Sequence, residues 1–105
     1  MPGPLDRGAV WLADLGIAAK VRPCLVLSVP PDPQDRVPVT LVPHTTSVQG
    51  TRFEVAVPKP FLKAGAFDAQ GVVTVAQARL IRKLGDLQPT EMPLVENAVK
   101  RWLGL

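Results

Sequence analysis

Apolar side chains recur along this chain in two different periods, and the change from one to the other falls near its end. Arg7 to Asp14, RGAVWLAD, alternates small and large apolar residues after a glycine, and Leu25 to Val29 continues with the β-branched and aliphatic residues, Ser28 apart, of a strand buried on both faces. The intervening Leu15 to Val21 is too short for a crossover, so these two segments are expected to form an antiparallel hairpin. A further strand is expected over Val37 to Val42. Arg52 to Val57 has strict period two, with Phe53, Val55 and Val57 on one face and Arg52, Glu54 and Ala56 on the other. Ala66 to Ala76 reads as a strand interrupted at Gly71 by a bulge or sharp bend.

The period then lengthens. Met92, Val95, Val99, Trp102 and Leu103 recur at spacings of three and four, which predicts an amphipathic helix with these residues against the core. Thr90 is the expected N-cap, with Pro93 in the first turn where no intrahelical donor is lost. Glu91 near the start, Lys100 and Arg101 near the end, and Gly104 beyond it complement the helix dipole and terminus.

Twelve prolines and eight glycines are dispersed between the short strand-like runs, as turns are in a small all-β body. PPDPQD, Pro30 to Asp35, is one such exposed loop. The fold class expected is therefore mainly β: a small barrel-like body with a C-terminal helix packed on it, forming one domain over residues 1–105. With 47% hydrophobic and 20% charged residues the composition is that of a globular protein, and no apolar run is long enough to span a membrane. Cys24 is the only cysteine, so an internal disulfide is excluded, and the N-terminus lacks the pattern of a secretory leader. A reducing cytoplasm is the expected compartment. The formal charge of +3 mildly favours an acidic or polyanionic partner, though it also serves solubility.

One histidine, no CxxC or HExxH, no Gly-rich phosphate loop and no GxSxG leave zinc, nucleotide-loop and hydrolase-triad chemistry without their parts. The carboxylates are scattered, so no metal site is announced and no cofactor is expected. Two segments at strand ends stand out. In Lys20-Val21-Arg22-Pro23, proline fixes its own φ and holds Arg22 extended, presenting a planar fork of donors at the rim of the core. In Pro43-His44-Thr45-Thr46-Ser47, three consecutive hydroxyls offer hydrogen bonds to phosphate oxygens, or else satisfy the backbone of their own turn.

Taken in order, RGAVWLAD, KVRPCLVLS, VTLVPHTTS, RFEVAVP, RLIRKLGDL and a helix ending in RWLGL resemble the MazF/PemK family of toxin endoribonucleases over nearly the whole chain. The resemblance implies an SH3-like β-barrel with a C-terminal helix, a homodimer, metal-independent cleavage of single-stranded RNA and inhibition by an acidic antitoxin. It assigns catalysis to Arg22 and Thr45 and RNA contacts to Lys20, Thr46, Ser47 and Gln70, with Gln77 as the alternative register for the family glutamine. The proton acceptor is unassigned, His44 being equally suited to a packed structural role. The loop before Arg22 is short and lacks the glutamate and glycines of many relatives, so that loop's contacts do not carry over. Two other readings of the sequence stay open: a CcdB-like gyrase poison, for which the RWLGL end is suggestive, and a noncatalytic SH3-like binding module.

Overall fold

A computed structural model describes residues 4–16 and 20–105. Among these residues, seven strands, β1 (Ala9–Asp14), β2 (Val21–Val26), β3 (Val39–Thr45), β4 (Glu54–Val55), β5 (Ala66–Asp68), β6 (Val73–Val75) and β7 (Leu80–Asp86), precede one α-helix, α1 (Met92–Leu103). The strands pair antiparallel throughout, in the order β4-β5-β3-β2-β1-β7, with β6 also beside β3.

Period two governs the centre of the sheet. Val10, Leu25 and Val42 point to one face, where they meet Phe53, Phe67, Leu87 and the helix residues Met92, Val95, Ala98 and Val99. Ala9, Ala13, Cys24, Val26, Val39 and Leu41 point to the other, under Trp11, Val73, Val75 and Leu80. Two buried faces explain why β2 and β3 read as almost uninterrupted apolar runs. Burial pushes the Cys24 thiol up to about 12, so it acts as a small core hydrophobe.

The β1–β2 hairpin forms as expected, with Val10 opposite Leu25 and Asp14 opposite Val21. Asp14 Oδ1 accepts the Gly16 amide at 2.9 Å, and the Lys20 carbonyl accepts the Leu15 amide at 3.0 Å. Residues 17–19 of this connection lie outside the described residues. Strand β2 begins at Val21 rather than Leu25, so Arg22 and Pro23 are inside the strand instead of in front of it. Proline is tolerated there because Pro23 pairs only with Leu12 of β1, the ladder to β3 starting at Cys24.

The Ala66–Ala76 segment runs along β3 as one strand broken in the middle. Phe67 pairs with His44 and Val73 with Leu41, and a 3-10 turn, Ala69–Gly71, separates the halves. The break lies beside Pro43, which has no N–H to donate, and a Cβ on Gly71 would come within 2.8 Å of Pro43 Cγ. The expected strand Arg52–Val57 shrinks to Glu54–Val55 because Thr51 to Phe53 turn, yet Phe53 and Val57 are still buried.

The helix carries two corrections. Glu91, in α conformation, occupies the N-cap position, and Thr90 is exposed within the turn that the Gln88 carbonyl closes with the Glu91 and Met92 amides. The Glu91 carboxylate holds that turn instead, accepting the Gln88 amide at 2.7 Å and pairing with Lys59 at 2.9 Å, and these contacts lower its proton affinity. The buried stripe also ends early: Trp102 is 43% and Leu103 52% exposed, while Ala98 takes a core place. Trp102 meets the Phe53 ring edge to face at 5.4 Å, and Arg52 covers that ring at 4.6 Å. Gly104 ends the helix in the left-handed conformation, φ +71°, as its position predicted. Arg7 ties the helix to the sheet by donating to the Leu27 carbonyl at 2.7 Å while pairing with Glu96.

These environments predict opposite outcomes for two leucine truncations. Leu25→Ala, at a site with no exposure, is expected to cost about 3 kcal/mol in urea denaturation. Leu103→Ala is expected to cost no more than about 0.5 kcal/mol, whereas the continuous stripe read from sequence would make the two comparable.

Candidate active site

Antiparallel pairing sets the start of β2 beside the end of β3. The ladder between them runs from Val26–Leu41 to Cys24–Pro43, and Arg22 and Thr45 lie two residues beyond its last pair, each on its own strand. The two residues line the same two clefts, with Ser47 as the third shared member.

The first cleft, about 430 Å³, is cationic. Lys20, Arg22, Lys63 and Arg82 line it with Thr45, Thr46 and Ser47, and among the described residues no carboxylate does. Its apolar wall follows from register: Pro23, Leu12 and Arg82 lie in one row across β2, β1 and β7, and Leu84 is two residues further along β7. Phe61 completes the wall, its ring resting on Gly85, where a side chain would collide with it.

The second cleft, about 320 Å³, is lined differently. Gln49, Thr51, Glu54, Asp68 and Gln70 surround it, so amides and carboxylates face Arg22 and Thr45. Asp68 Oδ1 accepts the Gln70 amide at 3.1 Å, which starts the 3-10 turn and leaves the Gln70 side chain exposed.

The predicted site residues thus divide. Arg22, Thr45 and Ser47 belong to both clefts, Lys20 and Thr46 to the first, and Gln70 to the second. Gln77 lines neither; its Nε2 donates to the Val37 carbonyl at 2.8 Å. Lys20 is the one non-glycine residue with positive φ, +61°, among those described, a conformation sparsely populated by side-chain-bearing residues.

Hydrogen bonding prepares the Thr45 hydroxyl. Its Oγ1 accepts the Ser47 amide at 3.0 Å, so its own hydrogen remains for an acceptor in the cleft. The following loop is braced by Glu54. Its carboxylate accepts the Gln49 amide at 2.9 Å and the Thr51 amide at 2.6 Å, around Gly50 at φ +76°. These backbone donors, Gln49 first, hold Glu54 below the usual carboxylate range and occupy the charge it would otherwise present to an anion. The turn reading of Pro43–Ser47 therefore holds for Thr45, whose oxygen takes the Ser47 amide.

His44 is 4% exposed, and its ring meets Phe67 edge to face at 5.1 Å. Burial lowers its proton affinity, so the imidazole is uncharged near neutrality. Gly65 packs over this point: a Cβ there would come within 2.8 Å of His44 Cε1 and collide with the Thr45 carbonyl. Among the described residues, no group of three or more His, Cys, Asp or Glu side chains converges to hold a metal ion.

Sequence reasoning missed Lys63, Arg82, Phe61 and the brace at Glu54. Arg82 had a signal, since Leu80, Arg82 and Leu84 share one face of a period-two segment, but nothing local said that β7 lies beside β1. Lys63 and Phe61 occupy an irregular, proline-rich loop with no period to read.

Residues 6–103 match the family described as PemK-like, MazF-like toxin of type II toxin-antitoxin system. Among solved structures, the chain is similar to an endoribonuclease in complex with its cognate antitoxin from a mycobacterial species, with a TM-score of 0.81, 27% identity and 95% of each chain covered. It is also similar to the Mycobacterium tuberculosis toxin MazF-mt6, with a TM-score of 0.78, 26% identity and coverage of 92% of this chain and 97% of that one. A MazE-MazF structure from Deinococcus radiodurans, at 21% identity, 95% and 94% coverage and a TM-score of 0.70, shares the fold.

Two measurements check this geometry. Gly65→Ala is expected to cost about 1–3 kcal/mol through overpacking and to shift the amide resonances of His44 and Thr45; unchanged spectra would refute the close approach. For His44, the folded chain binds fewer protons than the unfolded one just below the ordinary value of 6.5. The resulting stability is present above that value and is lost as pH falls toward the lowered one. The melting temperature is therefore expected to drop more between about pH 7 and about pH 5.5 for the native chain than for His44→Phe.

Proposed function

The chain belongs to the PemK-like, MazF-like toxins of type II toxin–antitoxin systems, and we propose that it is an endoribonuclease cutting single-stranded RNA with Arg22 and Thr45 as its catalytic groups. The observation that carries this reading is that both residues line the same two clefts, with Thr45 Oγ1 accepting the Ser47 amide and its own hydrogen left to donate.

RNA supplies its own nucleophile in this chemistry. The ribose 2′-oxygen bonds to the adjacent phosphorus, the bond from phosphorus to the 5′-oxygen breaks, and the products are a 2′,3′-cyclic phosphate and a 5′-OH. The 2′-OH proton goes to a base that neither catalytic residue provides, and the departing 5′-oxygen takes up a proton from solvent to become the 5′-OH. Arg22 and Thr45 act on charge instead. A guanidinium fork and a fixed hydroxyl aimed at the nonbridging oxygens stabilise the phosphorane, and the cleft holds the backbone for in-line attack. None of these roles calls for a metal ion. Lys20, Thr46, Ser47 and Gln70 contact the flanking nucleotides.

An acidic antitoxin segment is the proposed inhibitor, supported by the cationic cleft and by the cognate antitoxin in the similar mycobacterial structure. The working form is a homodimer in the cytoplasm. No helix among the described residues is long and apolar enough to cross a membrane.

Purified protein incubated with single-stranded RNA in EDTA is expected to yield fragments with 2′,3′-cyclic phosphate and 5′-OH ends. Arg22→Ala, shown to fold by circular dichroism, is expected to cut about 10²–10³-fold more slowly. Intact RNA together with gyrase-trapped DNA breaks would overturn the ribonuclease reading, as would undiminished cleavage by the variant.

A further inference from the structure

The two clefts that meet at Arg22 and Thr45 differ in what they can recognise. In the first, among the described residues, no ion pair engages Lys20, Lys63 or Arg82, and no carboxylate lines the space these cations share with Arg22. Cations turned toward one cavity without a counter-charge raise the local concentration of anions there. The same cavity has an aromatic wall. Phe61 is half-buried and seated on the glycine of β7, so its ring is fixed before any ligand arrives. A fixed ring beside several cations suits a nucleotide held by stacking and by its phosphate. Such contacts accept any base, since every base has a π face and every nucleotide a phosphate.

The second cleft is built for discrimination. Gln49 and Gln70 each offer both a donor and an acceptor, and Asp68 adds an acceptor, the groups that distinguish base edges. Lysine and aromatic side chains are absent from its lining.

We propose that Phe61, Lys63 and Arg82 form a base-tolerant nucleotide subsite on one side of the scissile phosphate, and that base discrimination is confined to the other side, where Gln70 and Gln49 face the substrate. This rests on the ribonuclease reading for its substrate class and adds an asymmetry that the reading does not contain. Lys63 and Arg82 hold the next phosphate, Phe61 stacks the intervening base, and the cleavage motif is set from the opposite cleft.

The test uses the full chain with two substrates: a randomised RNA for the cleavage motif, and a single-stranded oligonucleotide with a 2′-deoxyribose at the cut for binding without cleavage. Lys63→Ala and Arg82→Ala are each expected to weaken binding about 3- to 10-fold and to flatten its dependence on log salt by about 0.7, with the motif unchanged. Phe61→Leu keeps an apolar side chain on Gly85 and is expected to weaken binding about 10-fold, with Phe61→Tyr restoring it. Gln70→Ala is expected to relax the motif at one position while leaving the salt dependence alone. A motif altered by Lys63→Ala or Arg82→Ala, or binding unaffected by all three first-cleft substitutions, would overturn the subsite. A native chain that binds the deoxy-substituted strand through these residues but cuts no RNA would overturn the catalytic reading and leave the subsite standing.

Discussion

The antiparallel register of β2 against β3 is the constraint on which the rest of the site depends. It is fixed where Cys24, Leu25 and Val26 face Pro43, Val42 and Leu41, all six without exposure or nearly so. A slip of one residue would turn Leu25 and Val42 out of the cluster beneath the helix and exchange the sheet's two faces. The core therefore holds the register, and Arg22 and Thr45 lie just beyond the paired stretch, where both line the same two clefts. Pro23 contributes through what it lacks, since β2 can leave β3 at the residue that has no amide to pair.

Around that point the molecule separates charges by kind. The cations collect in the cleft walled by β1, β2 and β7, while the carboxylates of the neighbouring cleft are engaged with backbone amides: Glu54 with Gln49 and Thr51, Asp68 with Gln70. A carboxylate satisfied in this way shapes a loop without strongly repelling a polyanion, because the donors that lower its proton affinity also offset its charge. Bracing is needed there because the loop after β3 carries hydroxyls that must be held in position.

Much of the fold was legible because burial imposes a period. The β1–β2 hairpin, the apolar character of β3, the break near Gly71 and the helix with its terminal Gly104 all follow from alternation, proline and glycine placement, or helical spacing. The failures share a cause. Arg52–Val57 alternates perfectly, yet only Glu54 and Val55 join the sheet ladder, since alternation reports which residues are buried and not which backbone becomes a strand. Trp102 and Leu103 fall on the helical stripe, but the buried part of that stripe ends at Val99, and Trp102 meets the edge of the core at the Phe53 ring. Thr90 has the chemistry of a cap, but the turn closed on Gln88 gave that place to Glu91.

By itself the sequence singled out Arg22-Pro23 and the hydroxyls after Val42, because proline and strand ends are local features, while the family resemblance made Arg22 and Thr45 the catalytic candidates. It determined the mainly β class and the closing helix for the same reason: hydrophobic period is written residue by residue. Only the tertiary structure decided that Arg22 and Thr45 line the same clefts, that Lys63, Arg82 and Phe61 join both in the cationic one, and that Gln70, and not Gln77, lines the other. Those relations depend on which strands become neighbours and in what register, and that choice is made by packing between segments far apart in the chain.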